Sequence, residues 1–236
     1  MNSYRKTAII VGVLFIIATV ASLLSVVFLG STLTAQNYLT TVSANENQVL
    51  IAVIFELIGA VSVFSIAVML FPVLKQYTES LALEYVGFRL IEAVFTIVGS
   101  LSLLSLLTLS QEYVAGALDV SYYQPLGTVL LALRTWSSFY LVALIFGLGS
   151  LTLNYVLYQS KLVPRLISVW GLVGAALILL YAALSLFVLK TSLISTTWTV
   201  LAVPIAVQEM VFAVWLIVKG FNPSAIASLS AKTDTN

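Results

Sequence analysis

The sequence predicts an all-α integral membrane protein: a polytopic transmembrane helical bundle with six spans and both termini in the cytoplasm. Composition, the length of the apolar segments and the positions of Lys and Arg lead to this fold class. Of the 236 residues, 61% are hydrophobic and 8% are charged, and the mean hydropathy is +1.12. A soluble domain usually has about a quarter charged residues. The lipid bilayer must therefore be the solvent for most of this surface.

Six apolar segments are each near or above the roughly 20 residues that a helix needs to cross the hydrocarbon layer. They cover residues 7–30, 49–74, 85–109, 130–158, 165–189 and 197–218. Several are longer than about 25 residues, which indicates tilt or extension beyond the lipid. We expect one transmembrane domain over residues 1–221 and a polar, disordered cytoplasmic tail over residues 222–236.

The first segment follows Arg5 and Lys6, as the core of a secretory signal peptide would. Its apolar run of about 24 residues is longer than the roughly 7–15 residues of a signal core. No small-x-small cleavage site precedes the polar stretch 31–36. We therefore expect an uncleaved first span.

The distribution of basic residues predicts the orientation, because short loops rich in Lys and Arg stay in the cytoplasm. The basic residues on the side of the N-terminus are Arg5, Lys6, Lys75, Lys161, Arg165, Lys219 and Lys232. The opposite loops, 31–48 and 110–129, contain no Lys or Arg, and Lys190 departs from the pattern. Both termini should face the cytoplasm, which requires an even number of spans.

Residue types that the chain lacks exclude most chemistry. Cys and His do not occur, which excludes disulfides, thiolate and imidazole metal ligands, and His-dependent proteases and haem proteins. Asp119 and Asp234 lie outside the spans, so an intramembrane aspartyl protease is excluded too. The net charge of +1 gives no reason to expect nucleic acid as a partner. We predict no catalytic residue, no metal and no cofactor, and only a Glu-dependent hydrolase stays open as an enzyme.

Ionisable residues inside the membrane are the main functional signal, because each is costly unless it is paired or hydrated. Glu209 precedes Lys219 by about ten residues, or roughly 15 Å of helix, so it should lie near the middle of the bilayer. Gln208 adjoins it, and Pro204 removes a backbone donor and predicts a hinge. This helix could hold a cation or a proton. It could equally be a hinge whose Glu pairs with an Arg of a neighbouring helix.

Two further pairs of charges lie within or beside the spans. Arg89 and Glu92 are spaced i, i+3 and can pair on one helix face. Glu56 lies in the outer half of the second span. Arg134 begins the fourth span, either at the outer surface beside Trp136 or turned inward, where it is level with Glu56.

Three Glu and two Arg leave one carboxyl group over if both Arg are paired. A buried group of this kind takes up a proton, because an unpaired charge in lipid is costly. It could exchange that proton, as a proton-coupled carrier requires, or stay neutral and inert. We therefore expect a binding or translocation site for a small or lipid-like molecule. The alternative is an accessory or structural subunit whose buried charges only hold helices together. A sensor that works through the Pro204 hinge would need a protein partner, and a homo-oligomer also stays open.

Three stretches resemble one known family. They are Leu81–Tyr85 with Arg89–Ala93, Leu162–Arg165 with Val169–Ala175, and Pro204–Met210 with Trp215–Phe221. Together they resemble a bacterial multi-pass membrane family catalogued as domain of unknown function 4386. The resemblance implies a location in the bacterial inner membrane and a stand-alone domain. It transfers no functional residue, because the family has no established activity.

Overall fold

The computed structural model describes residues 3–116, 120–185, 187 and 196–233. Within these ranges the regular structure is helical and contains no strand. The helices are α1 (Ser3–Leu29), α2 (Tyr38–Ala44), α3 (Glu46–Leu74), α4 (Glu79–Ala115), α5 (Val120–Thr135), a π-helical segment (Trp136–Leu141), α6 (Val142–Ser160), α7 (Arg165–Leu184), α8 (Thr196–Val218) and α9 (Pro223–Thr233).

Six helices are long and apolar enough to cross a membrane, as the sequence predicts. Five of them lie in α1, α3, α4, α7 and α8, and the sixth is the continuous helix Ser121–Ser160. Large apolar side chains such as Val61 and Leu101 are more than half exposed on these helices. Such a surface is stable where lipid replaces water.

The helix ends differ from the predicted boundaries mainly in the loops opposite the termini. Residues 31–48, expected to be a connection, include α2 and the start of α3. α4 continues to Ala115, well into the predicted loop 110–129. Polar residues at a membrane surface can continue a helix, so hydropathy marks the lipid boundary and not the helix end. Asp119, Lys190 and Asp234 lie outside the described residues, as does the end of the predicted segment 165–189.

The spanning helices pack side by side in a closed ring. In order around the ring they are α1, α3, α4, α6, α7 and α8, and α8 returns to α1. The guanidinium group of Arg5 joins α1 to α8 by donating to the carbonyl oxygens of Leu216 and Ile217, at 3.0 and 2.6 Å. The described parts of both termini therefore lie at one end of the bundle, which we call the terminal end.

The expectation of a disordered tail over residues 222–236 was wrong for residues 223–233, which form α9. Ala225 and Leu229, one helical turn apart, are buried against the main hydrophobic core. The backbone N–H of Asn222 also donates to the carbonyl oxygen of Leu162 at 2.8 Å, which fixes the start of α9. The overall polarity of the tail conceals this short i, i+4 apolar face.

Pro204 lies inside α8, which continues as a helix on both sides of it. Its neighbour Ile205 packs closely on α7, because Gly174 has no side chain there. A Cβ atom on Gly174 would lie 2.8 Å from the Cβ atom of Ile205. Small residues at such a contact allow two helix backbones to approach in lipid. The role of Pro204 as a hinge stays a prediction.

Candidate functional site

Arg89 of α4 is the centre of a buried ionic cluster inside the ring. Its Nη1 atom lies 2.9 Å from Glu92 Oε2, so the i, i+3 pair forms. Its Nη2 atom lies 3.4 Å from Oε1 of Glu209 on α8, across the interior. Its Nε–H donates to the hydroxyl oxygen of Tyr85 at 3.2 Å. We call these residues, together with Phe146, the Arg89 cluster.

Two aromatic rings enclose the guanidinium group. Its central carbon lies 5.4 Å from the centroid of the Tyr85 ring and 5.1 Å from that of Phe146. A cation near an aromatic face is stabilised by the negative charge density of that face. The rings also exclude solvent, since the Arg89 side chain is only 2% exposed. Arg89 is therefore held in place from several directions.

The charges of the Arg89 cluster do not balance. One guanidinium group faces two carboxyl groups, which gives +1 − 2 = −1 when both are ionised. Glu92 makes the short contact, whereas the 3.4 Å contact of Glu209 exceeds the usual N–H···O range of about 2.7–3.2 Å. The Glu209 side chain is also more exposed, at 17% against 9% for Glu92. Glu209 is thus the weakly held carboxylate of the three-residue group.

Gln208, the neighbour of Glu209, belongs to a different contact. Its side-chain N–H groups donate to Asn154 Oδ1 at 3.3 Å and to the Ile167 carbonyl oxygen at 3.2 Å. Asn154 in turn donates to the Ser150 carbonyl oxygen at 2.9 Å. A Cβ atom on Gly171 would overlap the Asn154 amide. These hydrogen bonds of Gln208 therefore tie α8 to α6 and α7.

Arg134 and Glu56 form a second ionic group nearer the opposite end of the bundle. Arg134 turns inward and is 3% exposed, so the inward alternative for this residue holds. Both of its terminal nitrogens contact the Glu56 carboxylate, Nη1 at 2.8 Å from Oε2 and Nη2 with Oε1. The hydroxyl groups of Ser25 and Ser100 also donate to this carboxylate, at 3.0 and 2.5 Å. The charges of this pair balance, and both terminal nitrogens of Arg134 are bonded, whereas its buried Nε has no hydrogen-bond partner among the described residues.

The π-helical segment Trp136–Leu141 begins two residues after Arg134. Its extra residue per turn changes which side chains face the interior, and such segments occur often at functional sites. Here Ser138 Oγ accepts a hydrogen bond from Arg134 Nη1 at 3.2 Å. Gly99 of α4 makes room, because a Cβ atom there would overlap the Ser138 hydroxyl. The segment therefore helps to seat Arg134 against α4.

One face of α4 joins the two groups. Tyr85, Arg89, Glu92, Thr96 and Ser100 follow at spacings of three or four residues and so share a face. Thr96 Oγ1 donates to the Glu92 carbonyl oxygen at 3.0 Å, between the Arg89 cluster and Ser100. Polar groups thus extend over about 22 Å of a helix that rises 1.5 Å per residue.

The sequence-predicted residues therefore fall into three places. Arg89, Glu92 and Glu209 meet in one cluster, Glu56 and Arg134 pair in another, and Gln208 contacts α6 and α7. The sequence reasoning missed further contributors: Tyr85, Phe146, Asn154, Ser25 and Ser100. Tyr85 was within reach of sequence reasoning, because it precedes Arg89 by one helical turn.

Comparison with known proteins gives one match. Residues 10–220 match the model of a family described as Domain of unknown function (DUF4386). No curated protein and no solved structure matches the chain. The suspected family resemblance is confirmed, and the match covers all six spans almost completely.

Proposed function

This chain belongs to the family described as Domain of unknown function (DUF4386). Since that family supplies no function, we propose one from the geometry of the Arg89 cluster. The protein binds a small or lipid-like molecule in a polar site between its helices and moves it through the membrane. The ligand carries a cationic group, which contacts Glu209. The protein is not an enzyme and uses no cofactor.

The unbalanced charge of the Arg89 cluster carries this proposal. A buried ion is costly unless an opposite charge is close to it. Arg89 already pairs with Glu92 at 2.9 Å and can neutralise only one of its two carboxylates. The second charge calls for a proton, a metal cation or the cationic group of a ligand. An ammonium group beside Glu209 would balance the cluster.

The position of Glu209 supports access by such a ligand. It is near the middle of α8 and is the most exposed of the three charged groups. Its contact with Arg89 is long, so a competing cation would displace little. Arg89, enclosed by aromatic rings, would stay in place while Glu209 changes its partner.

The setting of the protein completes the proposal. The apolar outer surface of the ring supports the lipid bilayer as its surroundings. We place the protein in the bacterial inner membrane with both termini in the cytoplasm, following the basic residues of the terminal end. A protein partner or a second copy of the chain is compatible with this arrangement. We do not propose nucleic acid as a partner.

A thermal-shift screen of the purified protein in detergent tests the proposal. Hydrophobic amines and quaternary ammonium compounds should raise the unfolding temperature, with uncharged analogues of the same shape as controls. Glu209→Gln should fold and lose this response. Glu84→Gln is the matched control, because Glu84 lies on α4, as Arg89 and Glu92 do, but accepts a hydrogen bond from Thr152 Oγ1 at 3.1 Å, outside the cluster. Equal responses in wild type and Glu209→Gln would refute the proposal.

A structural role without a ligand is the alternative. One observation favours it: each of the five charges, Arg89, Glu92, Glu209, Glu56 and Arg134, contacts an opposite charge. Under this alternative Glu209→Gln lowers the yield of folded protein and no ligand responds differently to it. Under the binding proposal the variant is folded and the difference appears only with ligand.

A further inference from the structure

A cavity opens at the terminal end of the bundle, between the end of α8 and the connection from α6 to α7. Its volume is about 520 Å³, and Lys161, Arg165, Lys219, Trp215, Phe221 and Asn222 contribute to its lining. It lies far along α8 from the Arg89 cluster and shares no residue with it. We call it the basic cavity.

Buried residues make the floor of the basic cavity firm. Leu162, Val163 and Phe221 are between 0% and 6% exposed and belong to the main hydrophobic core. The N–H of Asn222 donates to the Leu162 carbonyl oxygen at 2.8 Å, which joins the two segments of the lining. The cavity is thus a built part of the fold and not a gap between loose loops.

The basic cavity is positively charged. Three cationic side chains line it, and no lining residue is acidic. Among the described residues, the salt bridges are all made by Arg89 and Arg134 in the interior. Within that part of the chain, Lys161, Arg165 and Lys219 form no salt bridge. Arg165 is held over the ring of Tyr158 at 5.1 Å. An anion in the cavity would therefore meet cations with no competing internal partner.

The backbone at Lys161 gives an independent sign that its side chain matters. Its φ angle is +56°, in the left-handed region, where it ends α6. Glycine takes this conformation without steric cost, and a residue with a Cβ atom does not. A strained residue beside a cavity is a reason to look for a function of that residue.

An apolar groove continues from the basic cavity along the outside of α8. Its volume is about 450 Å³, and Val207, Met210, Val211, Val214 and Val218 line it with Trp215 and Lys219. Trp215 and Lys219 line both spaces. The groove faces outward, because Val207, Val214 and Val218 are each more than 40% exposed. An anionic head and an apolar tail thus have adjoining places.

We propose that this composite site binds one anionic phospholipid of the surrounding leaflet. The phosphate lies in the basic cavity against Lys161, Arg165 and Lys219, and one acyl chain lies in the groove along α8. Basic pockets between helices at a membrane surface bind anionic headgroups in this way. Trp215 lies where the two parts of the lipid meet, a level at which indole rings are favoured.

Native mass spectrometry in detergent tests this site with defined lipids. Dioleoyl phosphatidylglycerol should bind more tightly than dioleoyl phosphatidylcholine, which has the same chains and no net charge. Lys161→Gln combined with Lys219→Gln should weaken phosphatidylglycerol binding about 25-fold, since each basic residue contributes about fivefold. The matched control is Lys6→Gln combined with Lys75→Gln, which removes two charges from the same end outside the cavity. It should change the affinity less than about twofold.

Three outcomes would overturn the proposal. Equal loss in the two double variants would indicate diffuse surface charge and no site. Equal binding of the two lipids would show that the phosphate charge is not recognised. Competition by soluble glycerol 3-phosphate at the concentration at which the lipid binds would indicate a site for a free anion.

A variant of the groove separates the tail from the headgroup. Val211→Trp fills the groove and should weaken dioleoyl phosphatidylglycerol severalfold, with little effect on short-chain dihexanoyl phosphatidylglycerol. An unchanged affinity for the dioleoyl lipid would remove the groove from the site. Because none of these variants touches Glu209, this proposal can fail while the proposed function holds, and the reverse is equally possible.

Discussion

Replacing Arg89 should lower stability far more than replacing Glu209 does, although both residues belong to one cluster. Arg89→Met keeps a similar length and removes the cation that pairs with both Glu92 and Glu209. Glu209→Gln removes one negative charge from a cluster that has one in excess. The first change leaves two buried carboxylates without a partner, and the second leaves a balanced pair.

The contacts give the size of each effect. Removing one partner of a buried ion pair costs about 3–5 kcal/mol, and Arg89→Met also removes the donor to Tyr85 and the contacts with two rings. We expect Arg89→Met to lose at least about 3 kcal/mol. Glu209→Gln loses a contact of 3.4 Å from a side chain that is 17% exposed. We expect its stability to stay within about 1 kcal/mol of wild type.

Unfolding in mixed micelles with increasing dodecyl sulfate, followed by circular dichroism, measures both changes in the same detergent. The double variant with Arg89→Met and Glu92→Gln is the control. It removes one of the two carboxylates that Arg89→Met leaves without their cationic partner. It should recover part of the lost stability. If Glu209→Gln is as destabilising as Arg89→Met, the charge argument is wrong and the structural alternative is favoured.

The remaining predictions concern other parts of the bundle. Arg134→Met should cost about 3–5 kcal/mol in the same unfolding assay, because it strands a carboxylate; a cost below about 1 kcal/mol would contradict the buried pair. Gly171→Ala should cost about 1–3 kcal/mol, because its new methyl group overlaps a neighbouring amide, and a neutral effect would contradict this contact. Leu229→Ala should cost about 2 kcal/mol if α9 packs on the core; unchanged unfolding would mean that it does not. The chain has no Cys, so Thr40→Cys and Ser228→Cys permit clean labelling of intact cells: an impermeant maleimide should modify the first only, and the opposite pattern would reverse the proposed orientation.

The sequence predicts the six apolar spans and the place of each charge along its helix, because both follow from distance along the chain. Counting residues placed Glu209 near the middle of a helix, and the spacing of Arg89 and Glu92 predicted their pair. The sequence left open whether Arg134 turns inward. If it does, its level in the fourth span predicts Glu56 as its partner. Each of these inferences needs only a helix rise and the thickness of the bilayer.

The contacts between distant helices were not predictable in the same way. The faces of these helices toward lipid and toward the core are both apolar, so hydrophobic periodicity does not reveal which side turns inward. The contact between Arg89 and Glu209 depends on the rotation of α4 and α8 and on the order of the ring. The contact between Gln208 and Asn154 likewise depends on how α6 and α8 are rotated. The π-helical segment was also not predictable, because its residues are not distinguished by hydropathy from those of an α-helix.

Equilibrium binding of the most stabilising cationic ligand to wild type, Glu209→Asp and Glu209→Gln tests the central claim most directly. The claim is that the unbalanced carboxylate at this position holds the positive group of the ligand. We predict that Glu209→Asp keeps most of the affinity and that Glu209→Gln loses at least about tenfold, or ~1.4 kcal/mol. The same dissociation constant in all three proteins would contradict it.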